Sequence, residues 1–380
     1  MSTIAVVTGV IIILIVLVCL NYYIGRKILL CLKYPYPRVN GTIYTVIYIL
    51  ISSTMILGML PLPDAINGTI SWIGSYWMGI FVYLLLFLFL ADLTIGVGRI
   101  LKLIPRPVPR MTRFYASFAA AVLTVGTVSY GIYNATQIKT VSYNVQLNKT
   151  IDDMNIVLIS DLHLGAVNSE QRLETIVTKI NELKPDLVCI AGDIFNDDYN
   201  DIHDPDRAID LLRSINATYG VYGSLGNHDG GNTFDRMIDF LDRSEIKLLN
   251  DEYVIIDERL ALFGRIDPSP IGGFGELKRG DVSDTIAALD SNLPIVVMDH
   301  TPSNLDQYGD TVDLILSGHT HKGQLFPGSL ITNAIFEVDY GHYKRNETSP
   351  HVIVSSGAGT WGMPMRVGTH NEVVSINLYG

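Results

Sequence analysis

Residues 160–165 read Ser-Asp-Leu-His-Leu-Gly and follow the apolar run Ile156-Val157-Leu158-Ile159. A carboxylate and an imidazole at the end of a buried strand need donors, a cation or a metal, because an unpaired buried carboxylate is costly. Four further apolar runs end in a similar way. Residues 187–190 lead into Ala191-Gly192-Asp193, and 220–224 into Gly226-Asn227-His228-Asp229. Residues 294–298 lead into Asp299-His300, and 313–316 into Ser317-Gly318-His319-Thr320-His321. An extended backbone would point Asp161 and His163 the same way. With Asp193, Asn227, His300, His319 and His321 they make two carboxylates, one amide oxygen and four imidazoles. That donor set suits two divalent transition metal ions, Mn, Fe or Zn in preference to Mg.

The elements that must hold these groups alternate. Helical periodicity covers 169–183 and 208–215, between runs that read as strands. Such alternation predicts an α/β domain, and in α/β sheets sites form outside the carboxyl ends of the strands. All five loops would then meet on one edge. Val141, Tyr143, Val145 and Leu147 alternate with polar residues, so a half-buried strand is expected in the 134–150 linker.

The ordered set Asp-x-His, Gly-Asp, Gly-Asn-His-Asp, a lone His and Gly-His-x-His resembles the calcineurin-like metallophosphoesterases, over about residues 140–380. Gly323-Gln324 and the stretches 354–357 and 366–368 resemble its bacterial membrane-associated branch. The resemblance implies a four-layer αββα sandwich and a dinuclear metal site. One ion would take Asp161, His163 and His321, the other Asn227, His300 and His319, and Asp193 would bridge them. His228 would be the non-ligand histidine next to the phosphate, with Asp229 orienting it. The implied reaction is hydrolysis of a phosphodiester, pyrophosphate or phosphomonoester bond by a hydroxide shared between the metals. Lys322, Gln324, Trp361 and Arg366 are candidates for lining the substrate pocket. Gly357 to Gly362 also matches GxGxxG, but no helix and second strand have room to follow, so a dinucleotide site is not expected.

The first 150 residues are of another kind. They hold 11 Lys+Arg and two acids, a net charge of +9, against −20 for 151–380. Four apolar stretches, about 4–20, 43–62, 72–90 and 114–133, approach the roughly 20 residues that cross a bilayer. The expected organisation is a membrane region of four transmembrane helices over 1–133, a linker with the first strand over 134–150, and the phosphoesterase domain over 151–380. Basic residues crowd the first loop (Arg26, Lys27, Lys33, Arg38) and the third (Arg99, Lys102, Arg106, Arg110, Arg113), while the second, around 61–67, has none. The positive-inside rule makes the first and third loops cytoplasmic. The chain is thus expected to be a multi-pass protein of the cell membrane with its catalytic domain outside the cytoplasm. Asp92 is placed at a span's end, and no charge lies at a span's centre, which favours anchoring over transport.

The acidic domain disfavours nucleic acid as a partner. Cys19, Cys31 and Cys189 have no disulfide or zinc-like spacing. Position at a membrane points to a phosphate ester on a lipid-linked or envelope substrate. An alternative is a UDP-2,3-diacylglucosamine-type lipid pyrophosphatase, which needs a cytoplasmic site that the loop charges oppose. An alternative of another class is a non-catalytic metal-binding interaction module.

Overall fold

Alternation decides the layers of the back half. In the computed structural model, which describes the chain apart from residues 1, 2, 59, 61–63, 166 and 168, strand β2 (Met154–Ile159) follows β1 (Ile138–Gln146). Ile156 and Leu158 of β2 enter one core, and Val157 and Ile159 enter another. The next strand, β3 (Leu187–Ala191), divides likewise: Leu187 and Cys189 against Val188 and Ile190. Strands buried on both faces read as unbroken apolar runs, which is why they are visible in the sequence.

The remaining strands are β4 (Val221–Ser224), β5 (Lys247–Leu248), β6 (Glu252–Ile256), β7 (Leu260–Gly264), β8 (Ile295–Met298), β9 (Leu314–Ser317), β10 (Gly341–Tyr343), β11 (His351–Val354) and β12 (Asn371–Tyr379). They form two six-stranded sheets, ordered β1-β12-β2-β3-β4-β5 and β10-β11-β9-β8-β7-β6. The core between the sheets includes Leu158, Cys189, Leu262, Val296, Leu316 and Ile376. Helices α5 (Ser169–Glu182), α6 (Pro205–Arg213) and α7 (Phe234–Arg243) cover the first sheet through Leu173, Ile209 and Phe240. The short α8 (Ser283–Ala287) covers the second through Val282 and Ile286. This is the expected four-layer αββα order. A further helix, α9 (Gly328–Ile335), buries none of its residues.

Strands β2, β3 and β4 run parallel, as do β7, β8, β9 and β11. Their carboxyl ends therefore deliver the motif-bearing loops to one edge. The predicted strand at 141–147 is β1, paired in parallel with β12 at the edge of the first sheet.

The chain divides into two compact units, Met1–Tyr130 and Gly131–Gly380. The first consists of α1 (Thr3–Lys33), α2 (Gly41–Leu57), α3 (Asp64–Ile100) and most of α4 (Arg110–Thr136). Three of these, not four, are long and apolar enough to cross a membrane among the described residues. The exception is α2. It ends at Leu57, where the Gly58 N–H bonds to Thr54, and its 17 residues span about 26 Å at the helical rise, short of a hydrocarbon core of about 30 Å. Residues 59, 61 and 62 of the expected second span lie outside the described residues.

Helices α2 and α3 form an antiparallel hairpin in which a Cβ on Gly74 would sit 2.6 Å from the Thr54 carbonyl oxygen. Only glycine permits that approach. Asp92, expected at a span's end, lies within α3, accepts from Tyr23 Oη at 2.8 Å and pairs with Lys27 of α1. Pairing is the usual resolution for charge within an apolar helix bundle.

Candidate metal centre

The loops that follow the strands are laced to one another by backbone bonds. Asp161 N donates to Gly192 O (3.0 Å), and His163 N to Asp193 O (3.1 Å). His319 N donates to both oxygens of Asp161 (3.0 and 3.1 Å), and His228 N to Asp193 Oδ1 (2.8 Å). His300 is fixed by Nδ1 against Ala191 O at 2.8 Å, which leaves Nε2 facing the centre.

Asp161 and His163 do not converge through an extended backbone, as the two-residue spacing suggested. Their φ angles are 53° and 45°, and Asp193, His319 and His321 are also left-handed at 53°, 70° and 49°. Such conformations are strained for residues with a Cβ and persist where the surroundings over-determine them. The strand therefore ends at Ile159, and a tight turn aims each side chain. Packing of these turns is close: a Cβ on Gly318 would lie 2.3 Å from Asp161 Oδ2.

Two groups of potential ligand atoms result. In Asp161, His163 and His321, and again in Asp193, His300 and His319, all ligand atoms lie within 4.8 Å of one another. His163 Nε2 lies 3.1 Å from His321 Nε2, and His319 Nδ1 lies 2.8 Å from Asn227 Oδ1. Asp193 Oδ2 is 3.1 Å from His300 Nε2 and 3.7 Å from His163 Nε2, between the groups. With these ring nitrogens unprotonated, their lone pairs and those of the carboxylate and amide oxygens converge as cation ligands do.

The groups divide electrostatically: burial alone would lower the His300 pKa, but the charge of Asp193 and the hydrogen bond to it raise it well above the usual value, so a proton stands there where a cation would. Burial pushes the Asp161 carboxyl up to about 6, partly offset by His300. Burial likewise holds the imidazoles of His163 and His319 down at about 3 and about 4, in the neutral form that metals bind. A cation would relieve Asp161 and leave the neutral imidazoles in place.

A match to the calcineurin-like phosphoesterase family covers residues 154–323. An uncharacterised metallophosphoesterase of Campylobacter jejuni is 31% identical over 274 residues, 70% of this chain and 71% of that protein. The chain belongs to the calcineurin-like metallophosphoesterases. A Helicobacter pylori metallophosphoesterase, also uncharacterised, is 28% identical over 240 residues, which span 62% of each chain. A Danio rerio transmembrane protein with metallophosphoesterase domain is 28% identical over 383 residues, 94% of this chain and 86% of that protein. That similarity runs through the apolar helices as well as the metallophosphoesterase domain and associates the chain with a membrane.

Within this metallophosphoesterase site, Asp229 does not orient His228. Its buried carboxylate accepts from the backbone N–H groups of Phe195 (2.9 Å) and Gly226 (2.8 Å), so it braces two loops. The carboxylate facing His228 Nδ1 is Asp197 Oδ1, at 2.6 Å. Burial alone would lower the His228 pKa, but the bond to Asp197 and the charges of Asp193 and Asp197 raise it. Asp197 sits in the acid-rich run 196–206, where nothing in the sequence separates it from its neighbours.

The four pocket candidates part company. Trp361 is half-exposed, with its ring 5.7 Å from that of His228. Lys322 Nζ lies 3.9 Å from the centre of the Tyr340 ring. Gln324 is buried, and its amide ties the Trp361 loop through Trp361 N, Trp361 O and Met363 O. Arg366 is fully buried and donates to the carbonyls of His321 (3.2 Å) and Gly359 (2.5 Å). Neither of the last two has a face to offer a substrate; both hold loops. Arg172, unmarked in the sequence, does the same for Leu162 O and His163 O (2.9 and 3.2 Å).

Proposed function

We propose that this chain is a membrane-anchored, dinuclear metal phosphoesterase. The position of Asp193 Oδ2, within 3.1 Å of one ligand group and 3.7 Å of the other, carries the reading. One metal would be held by Asp161, His163 and His321, the other by Asn227, His300 and His319, with Asp193 shared. Mn, Fe or Zn suits four imidazoles. Two such ions, when bound, polarise a phosphoryl group and supply hydroxide near neutral pH.

The chain's own residues supply the rest. His228 has Nδ1 held by Asp197, so Nε2 is free to give a proton to the departing oxygen or to hold charge on the phosphate. Asp197 fixes the ring and favours its protonated form. The ring of Trp361 lies beside it.

The apolar helices support a substrate at the membrane surface, such as a lipid-linked or envelope phosphate ester. The hairpin of α2 and α3 brings the basic loops at 33–40 and 99–113 to its same end. By the positive-inside rule that end is cytoplasmic, and α4 then leads to an extracytoplasmic domain. The cytoplasmic lipid pyrophosphatase requires the reverse.

The test is hydrolysis by the purified chain of a panel of phosphomonoesters, phosphodiesters, nucleotide-lipids and envelope polymers, with Mn, Fe, Zn and Mg added back singly. Metal-dependent turnover of one class supports the assignment. No turnover in a fully metal-loaded chain favours the interaction module. An Asn200→Cys variant on intact cells should react with an impermeant thiol reagent; labelling only after lysis reverses the orientation.

A further inference from the structure

Residues 131–380 cover their large apolar side chains with one concentrated exception. Ile335, Leu330 and Ile331 of α9 are 69%, 64% and 61% exposed, and among the described large hydrophobic residues of this unit only Tyr133, at 65%, stands with them. Residues 323–336 contain no charged side chain, within a segment, 151–380, whose net charge is −20. An uncharged helix with Leu and Ile turned outward on an acidic domain marks a surface meant for something apolar.

The path of the chain indicates what that is. Tyr133 lies near the end of α4, a helix long and apolar enough to cross a membrane. The end of α4 is clamped to one loop: Arg366 N donates to Gly131 O (2.9 Å), and Asn134 Nδ2 to Arg366 O and Thr369 O (3.0 and 2.7 Å). The next residue of that loop, Val367, accepts at its carbonyl from Phe326 N (2.8 Å), two residues before α9. The exit of the last apolar helix and the approach to α9 are thus fastened to the same strip, 366–369. A bilayer that receives α4 is an apolar phase the chain itself brings to this face. Acidic surface elsewhere on the domain is repelled by anionic headgroups, whereas 323–336 is not.

We infer that α9 lies in the interfacial layer of the bilayer, with Leu330, Ile331 and Ile335 toward the acyl chains. Phe336, directly after the helix, has its ring 5.8 Å from that of His319, so the centre would open at the level of the headgroups. The inference stands on exposure and chain path and does not depend on the metal assignment.

The test uses the full chain with Cys19→Ser and Cys31→Ser, which leaves the buried Cys189, in vesicles of phosphatidylcholine and phosphatidylglycerol. A nitroxide is attached at Ile331→Cys, or at Leu330→Cys should the first variant fold poorly. A control label is attached at Asp290→Cys, on the loop that enters β8 from the opposite edge of the sheet. Collision with oxygen is compared with collision with a water-soluble nickel chelate. The α9 label should favour oxygen several-fold more than the control label does. Equal preference at the two positions means that α9 faces water, and protection from both reagents means that protein covers it, whether a second copy or another partner; either overturns the inference.

Discussion

The two units solve opposite solvent problems with the same side chains. In α1, Ile12, Ile13 and Val18 are more than half exposed, while Leu158, Val297 and Ile376 in the sheets are fully buried. Facing lipid, an apolar side chain outside a helix bundle loses nothing; facing water, it must be enclosed. Polar groups are the mirror image. The first unit joins Lys27, Tyr23 and Asp92 into one knot. The second buries Asp161, Asp193, Asp229 and His300 almost completely. Three of those, Asp161, Asp193 and His300, belong to the two ligand groups, and Asp229 spends its charge on backbone N–H groups. Buried charge in the domain is thus either gathered in the ligand groups or bound to backbone, as at Asp229 and Arg366, whereas the helices leave apolar side chains exposed, as suits a lipid phase. Helix α9 is the place where the second unit follows the rule of the first.

Substitutions sharpen this contrast, the strongest first. Asp193→Ala removes an oxygen from both ligand groups, so activity should vanish and bound metal fall below one ion per chain by elemental analysis. His228→Ala should keep both ions and the fold while kcat falls about 10²- to 10⁴-fold. The loss should shrink for good leaving groups, and loss of metal instead would make His228 a ligand. Leu158→Ala opens the core between the sheets and should cost about 2–5 kcal/mol, seen as a lower unfolding temperature. Asp197→Asn should slow turnover by about tenfold, a fraction of the general acid–base contribution, whereas Asp229→Asn should act on stability through Phe195 N and Gly226 N. Equal rate effects from the two would undo the division between them. Ile12→Ala, at an exposed position of α1, should change stability by about 0.5 kcal/mol or less.

The strands that carry the motifs were legible because each is buried on both faces, so its sequence is an apolar run ending in Asp, Asn or His. Convergence of the five loops follows from strand polarity alone. The backbone that accomplishes it was not legible: left-handed φ at Asp161, His163, Asp193, His319 and His321 depends on tertiary bonds between loops, and none of these residues is glycine. The exchange of Asp229 for Asp197 has the same origin. Asp229 is adjacent to His228 in the chain, but the turn 226–229 directs it inward, and the loop after β3 brings Asp197 to the ring from 31 residues away. Hydropathy located the apolar stretches but not their ends; α2 ends at Leu57, and α3 runs well past 72–90 in both directions. The eight residues of α9 are too few to display a period, and only its exposure distinguishes it from a core segment.

Metal stoichiometry tests the dinuclear centre most directly. Chelated protein, titrated with Mn(II) by calorimetry while phosphodiester hydrolysis is followed in parallel, should bind two ions per chain, with activity rising as the second is taken up. Saturation at one ion with full activity, or binding no tighter than that of Asp193→Ala, would contradict it.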